Sequence, residues 1–310
     1  MTRERPVRFV HRVAYLGLRL GLGVLGALPE RFAYAAMAGV ARLYFACART
    51  RRRVGLANLA LAFPPQEHAW TRRERLRIVR QGTVSAFQNI LDMLHGQRWR
   101  ARGRLLERVD ITEFSQLGIR APFLGLSSHL GSWEAAALTA AFVEREVHVI
   151  GRVPRNPLVA RHLRRQREAC GLIVHDRRGG IRPLARALAE GKVALQAVDQ
   201  NQRLRGVFVP FFGRLAATER SAATLAVRRG VPLVVAVCVR VAPGFRFRVR
   251  VLGPLHPVRS GALHDDVVAT VRLISAAIEC LVREVPDQYL WIHDRYRTRP
   301  SAGADDAGGD

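Results

Sequence analysis

Ser127-Ser128-His129-Leu130-Gly131-Ser132-Trp133-Glu134 places a base, a small turn residue and a carboxylate side by side. A short apolar run, APFLGLSS (121–128), precedes His129, and an alanine-rich helical pattern, Glu134 to Val143, follows it. His129 therefore belongs at the carboxyl end of a strand, where open α/β sheets carry their chemistry. In one continuous helix, side chains five apart diverge by about 140°. If the strand ends at His129 and a helix begins near Ser132, the turn returns Glu134 toward the imidazole. A carboxylate on one ring nitrogen fixes the tautomer and stabilises the imidazolium. The other nitrogen then takes a proton from an attacking hydroxyl. The backbone amide of Gly131, with the first amides of the helix, is suited to a developing oxyanion. A histidine followed by an acid is a common pattern, and taken alone it also describes a surface histidine at a helix start.

Competing chemistries find less support. Gly125-Leu126-Ser127-Ser128-His129 puts His where a nucleophile elbow needs its second glycine. There is no HExxH, no paired ligand cluster, no phosphate loop and no dinucleotide fingerprint, so no metal and no organic cofactor is expected. Cys47, Cys170, Cys238 and Cys280 lie far apart, which suits reduced thiols in the cytoplasm. The remaining histidines read as ordinary surface or core residues.

The elements that must position the pair follow from short apolar runs. APFLGLSS, EVHVIG (146–151), GKVALQAV (191–198) and VPLVVAVCV (231–239) are each about a strand long. Helical patterns separate them: Glu134 to Val143, Leu158 to Cys170, Ile181 to Glu190 and Thr218 to Arg229. This alternation predicts an α/β fold with a mostly parallel central sheet flanked by helices. FRFRVRVL (245–252) alternates with period two and reads as an edge or antiparallel strand. Helices are also expected from Thr71 to about Leu94 and from Asp265 to Arg283, with a short amphipathic segment over 104–119. The polar tail, 301–310, reads as disordered.

The chain has 310 residues, 49% of them apolar, enough for a sizeable core. Lys and Arg number 50 against 25 acids, a net charge of +25 that favours acidic partners. The N-terminal runs VAYLGLRLGLGVLGALP (13–29) and Phe32 to Ala48 are apolar, interrupted by Arg19 and Arg42 and bordered by arginines. Neither is long enough to span a bilayer without interruption. They fit a helical membrane anchor lying in, or dipping into, an anionic membrane surface; two core helices are the other reading. The chain thus divides into a membrane-associated helical segment (1–50), a main domain (51–300) and the tail. A nucleic-acid-binding protein is the rival class, but no RNP aromatics, finger spacing or basic repeat is present.

Four colinear segments carry a more specific signal. They are RRRVGLANLALAFP (51–64), SSHLGSWE (127–134), VDQNQRLRGVFVPFFGRLAAT (198–218) and PDQYLWIHDRYRTRP (286–300). Together they resemble the late acyltransferases of lipid A biosynthesis, the lauroyl and myristoyl transferases, within the lysophospholipid acyltransferase superfamily. SSHLGSWE matches that family's H-x4-[DE] motif. The resemblance implies a glycerolipid acyltransferase-like fold, His129 as general base and Glu134 as its orienting carboxylate. It implies substrate-binding roles for Arg152, Asn156, Arg167, Asp199 and Gln200. Val153 interrupts the family's R-P-x-x-N-P element here, and Asp294 replaces a usual basic residue. The implied donor is an acyl carrier protein thioester, or coenzyme A. The implied acceptor is a lipid A precursor or similar glycolipid at the cytoplasmic face of the inner membrane. Relatives acting on phosphatidylinositol mannoside or another lipid are the alternative, and a catalytically silent lipid-binding protein a more remote one.

Overall fold

The structure is a computed structural model that describes residues 6–144, 146–151, 154–176 and 179–300. In chain order the elements begin with four helices, α1 (Phe9–Ala27), α2 (Glu30–Cys47), α3 (Arg49–Ala62) and α4 (Arg72–Ala101). A short strand β1 (Val109–Asp110) and helix α5 (Thr112–Gln116) lead into β2 (Leu124–Ser127) and α6 (Trp133–Val143). Then follow β3 (Val147–Gly151), α7 (Pro157–Glu168), β4 (Leu172–Asp176), α8 (Ile181–Ala189) and β5 (Val193–Ala197). A hairpin, β6 (Val207–Phe211) and β7 (Arg214–Thr218), precedes α9 (Ser221–Arg229). The strands β8 (Leu233–Arg240) and β9 (Phe247–Leu255) and the long helix α10 (Leu263–Glu284) complete the fold.

Local chemistry starts the site-bearing helices. Thr71 accepts from the Glu74 amide, and Glu74 returns a bond to the Thr71 amide at 2.7 Å, a reciprocal cap for α4. Ser132 caps α6 by accepting from the Ala135 amide at 3.1 Å. Asn156 caps α7, and Pro157 supplies the φ of its first turn.

The main sheet runs β1-β9-β8-β2-β5-β3-β4. The run from β8 to β4 is parallel, as its crossover helices require. β9, the period-two segment, pairs antiparallel with β8, and β1 sits outside it. The mostly parallel α/β sheet expected from the sequence is therefore present. Two parts escaped the sequence reading. β4 is a short edge strand paired on one side with β3. The β6–β7 hairpin forms a separate two-stranded sheet. The segment over 104–119 divides into a 3-10 turn, β1 and α5.

The N-terminal helices differ from one another. α2 buries Ala33, Tyr34, Met37, Ala38, Ala41 and Phe45, and packs on α4 like a core helix. α1 buries none of its residues. Phe9, Val13, Leu16, Leu20 and Val24, at helical spacing, are 54–81% exposed. Among the described residues no helix is long and apolar enough to cross a membrane. The tail 301–310 lies outside the described residues.

Candidate active site

β2 and β5 are parallel neighbours with Ser127 opposite Ala197. His129 and Asp199 each follow their strand end by two residues, so register alone sets them side by side. Asp199 accepts from the His129 backbone amide at 2.8 Å, and its other oxygen lies 2.7 Å from Nδ1 of the ring. Burial alone would raise the Asp199 carboxyl, but the charge and hydrogen bonds of His129 hold it down at about 2. Asp199 is thus the anionic partner of Nδ1. On the far side of the ring, Gln200 brings its amide nitrogen to 3.0 Å from Nε2. A carboxamide N–H only donates, so Nε2 accepts and the proton sits on Nδ1, facing Asp199. His293 stands behind this pair. Its Nε2 accepts from the Asn201 amide at 3.0 Å, and burial lowers its pKa to about 4.

This geometry corrects two roles assigned from sequence. Glu134 does not orient His129. Its carboxylate is engaged by Arg167, at 2.5 Å through Nη2 and 3.2 Å through Nε, while both ring nitrogens of His129 face other groups. The helix begins at Trp133 and carries Glu134 toward α7 instead of back over the ring. Arg167 is correspondingly bound to the protein. Burial works against its charge, but Glu134 lifts its pKa above the ordinary value. The Gly131 amide, assigned to an oxyanion, donates to the Gln288 carbonyl at 3.1 Å. Gly131 adopts φ +63°, and a Cβ there would collide with the Cys238 carbonyl, so the loop presses onto β8. The next amide, of Ser132, donates to that same Cys238 carbonyl at 2.8 Å.

Asp199 and Gln200, assigned to substrate, lie on the base itself. Asn156 is spent structurally: its oxygen caps α7, and its nitrogen donates to the His11 carbonyl at 2.9 Å. Arg152 lies outside the described residues.

Sequence reasoning expected the helix α4 but not the role of its buried polar face. Ser85, Asn89 and Asp92 recur at helical spacing on one buried face. Asn89 donates to the Gly131 carbonyl at 3.1 Å and accepts from Ser132 Oγ at 3.2 Å and the Glu134 amide at 3.4 Å. It fixes the loop between His129 and α6 from outside. One turn on, Asp92 receives Tyr34 at 2.7 Å and Nη2 of Arg240, which lies 2.8 Å from both carboxylate oxygens, tying α2, α4 and β8 together. The available signal was this polar stripe, flanked by Gly82 and Gly96, where a Cβ would strike Tyr289 and Leu138.

Behind His129 a cavity of about 310 Å³ runs beneath α6. Its roof is Ala136, Ala137 and Ala140, its floor Gly125, Leu195 and Val234. His129, Trp133 and Gln200 line it, as do Phe114 and Phe123, whose rings lie 6.1 Å apart. The alanines of α6 make the space, and Gly125 lets the Leu195 side chain lie against β2. The result is an imidazole on the lining of a largely apolar cavity, a layout suited to an enzyme that handles a long hydrocarbon.

Comparison with known proteins agrees with that class. A profile for bacterial lipid A biosynthesis acyltransferases matches residues 3–298, and the chain belongs to this family. It is 26% identical over 291 residues to a lipid A biosynthesis lauroyltransferase of Escherichia coli, covering 91% of each chain. It is 30% identical over 147 residues to a lipid A biosynthesis acyltransferase of Haemophilus influenzae, 47% of this chain and 44% of the relative. A lipid A biosynthesis palmitoleoyltransferase of Escherichia coli is 30% identical over 125 residues, 40% of this chain and 39% of the relative.

Proposed function

We propose that this chain moves a fatty acyl group from the thioester of an acyl carrier protein, or of coenzyme A, to a hydroxyl of a lipid A precursor. The observation that carries the reading is His129, held by Asp199, on the lining of the apolar cavity beneath α6. The acyl chain lies in the cavity with its carbonyl at His129. Nε2 removes the acceptor's proton, and Asp199 stabilises the imidazolium across Nδ1. The alkoxide attacks the carbonyl, the tetrahedral intermediate collapses, and the leaving thiolate takes the proton back. No covalent enzyme intermediate, metal or organic cofactor takes part. The ion pair of Glu134 and Arg167 forms the polar flank of the cavity entrance and holds α7 to α6.

The reaction takes place at the cytoplasmic face of the inner membrane. The exposed apolar stripe of α1 lies in the lipid surface, and the net charge of +25 favours anionic headgroups and an acidic carrier. Mass spectrometry of lipids from cells producing the parent or His129→Ala tests the reading. A new acylated glycolipid found with the parent alone is expected. An unchanged lipid profile with a folded, membrane-bound parent would overturn the acceptor assignment.

A further inference from the structure

Four amides of the loop between β2 and α6 and the first turn of α6 are committed elsewhere. Those of His129, Gly131, Ser132 and Glu134 bind Asp199, Gln288, Cys238 and Asn89 in turn. A tetrahedral intermediate at His129 needs a donor about 3 Å from where its oxyanion forms. We propose that the side-chain amide of Gln200 is that donor, and that in the resting enzyme the same amide covers the base. The inference rests on the acyl-transfer reading above and assigns Gln200 a catalytic role within it.

Gln200 Nε2 lies 3.0 Å from His129 Nε2, and both residues line the cavity. The lone pair it covers must receive the acceptor's proton. An acceptor hydroxyl therefore takes the place of the carboxamide, which turns aside by rotation of its own side chain. The backbone beneath it stays fixed. Asp199 is held by two bonds to His129, and Asn201 by its amide on His293 and by paired bonds with Thr298 at 3.0 and 3.1 Å. The displaced N–H thus remains beside the reacting carbonyl. As the hydroxyl oxygen bonds to the thioester carbon and its proton passes to Nε2, the carbonyl oxygen gains charge and accepts from Gln200. As the carbonyl re-forms, the carbon–sulfur bond breaks with its electron pair leaving on sulfur, and the thiolate takes the proton from the imidazolium. A neutral amide suits the post, because a cation there would oppose protonation of His129.

Gln200→Ala and the nearly isosteric Gln200→Met remove the donor, and thermal melting reports whether each variant folds. Transfer is measured with acyl-pantetheine thioesters and a hydroxyl acceptor. Binding is measured for two donor mimics, an unreactive thioether and a trifluoromethyl ketone that adds a hydroxyl to form a tetrahedral centre. Loss of about 10²–10³ in kcat is expected in both variants, with KM for the thioester within threefold. The ketone should weaken by a similar factor while the thioether binds as it does to the parent. Parent-like or raised kcat in folded Gln200→Met would overturn the proposal and leave Gln200 as a cover alone. Equal weakening of both mimics would overturn it too, as loss of pocket shape. Absence of transfer by the parent would instead defeat the acyl-transfer reading.

Discussion

Replacing Phe114 with alanine should lengthen the acyl chains this enzyme prefers, and the structure sets the scale. The cavity follows α6 from Trp133 to Val143, an 11-residue helix, so its length is about 16 Å at ~1.5 Å per residue. An extended chain of single bonds advances ~1.2 Å per bond, as the extended backbone does over its three bonds per residue. The channel thus holds about 13 bonds, and donors of about 12–14 carbons should be favoured in the parent. Phe114 lines this cavity, its ring 6.1 Å from that of Phe123. Removing its ring opens room for roughly two more methylenes, each contributing ~0.8 kcal/mol of burial. The 16-carbon donor should therefore gain ~1.6 kcal/mol, roughly 15-fold in kcat/KM relative to the 14-carbon donor. A competition assay with equimolar thioesters of 10–18 carbons, read by mass spectrometry, measures the ratio. Conversely, Ala137→Phe on the roof should block the channel partway and favour shorter donors. Unchanged chain preference in a folded Phe114→Ala protein would refute the placement of the acyl chain beneath α6.

His129→Ala should remove at least two to four powers of ten in transfer rate at nearly unchanged melting temperature, read by single-turnover assay. Asp199→Asn, which disturbs the tautomer, should lower kcat by about 10³–10⁴-fold, and activity near that of the parent would show that Nδ1 needs no anion. Removing either Arg167 or Glu134 singly should cost about 3–5 kcal/mol by denaturant unfolding, whereas Arg167→Met with Glu134→Gln should cost less than the sum. Stability should also fall in acid in two stages. His293 titrates near 4 in the fold against 6.5 when unfolded, so the unfolded chain binds the proton first and stability drops between those values by about 3 kcal/mol. Asp199, near 2 in the fold against 3.8, stabilises above 3.8 and loses that contribution as pH falls toward 2. Denaturant titrations from pH 7 to pH 3 measure this, and a folded His293→Phe that kept the parent slope between pH 6.5 and 4 would contradict it.

The sequence made the sheet legible because its central strands are short apolar runs between clear helical patterns. It also marked His129, since a histidine just past a strand stands out. It could not distribute the carboxylates. Glu134 is near His129 along the chain, but the start of α6 at Trp133 turns it to Arg167. Asp199, some 70 positions away, reaches the imidazole because β2 and β5 pair in register, and strand order is not written in local periodicity. The resemblance assigned Asp199 to substrate and not to the imidazole it touches. Asn89 stayed hidden because a polar residue in a helix ordinarily faces water, and only the packing of α4 beneath the loop gives it a partner. β4 was missed because LIVHD is brief and half exposed, as an edge strand can be.

The loop that carries the base is fastened by the far end of the chain. Leu290 donates to the His129 carbonyl at 3.0 Å, and the Gln288 carbonyl receives the Gly131 amide. A chain without residues 286–290 lacks both of these bonds. Its histidine then rests on a loop with one side unfastened. Truncation before residue 286 would thus keep His129 and Asp199 while leaving the support of their loop unfinished.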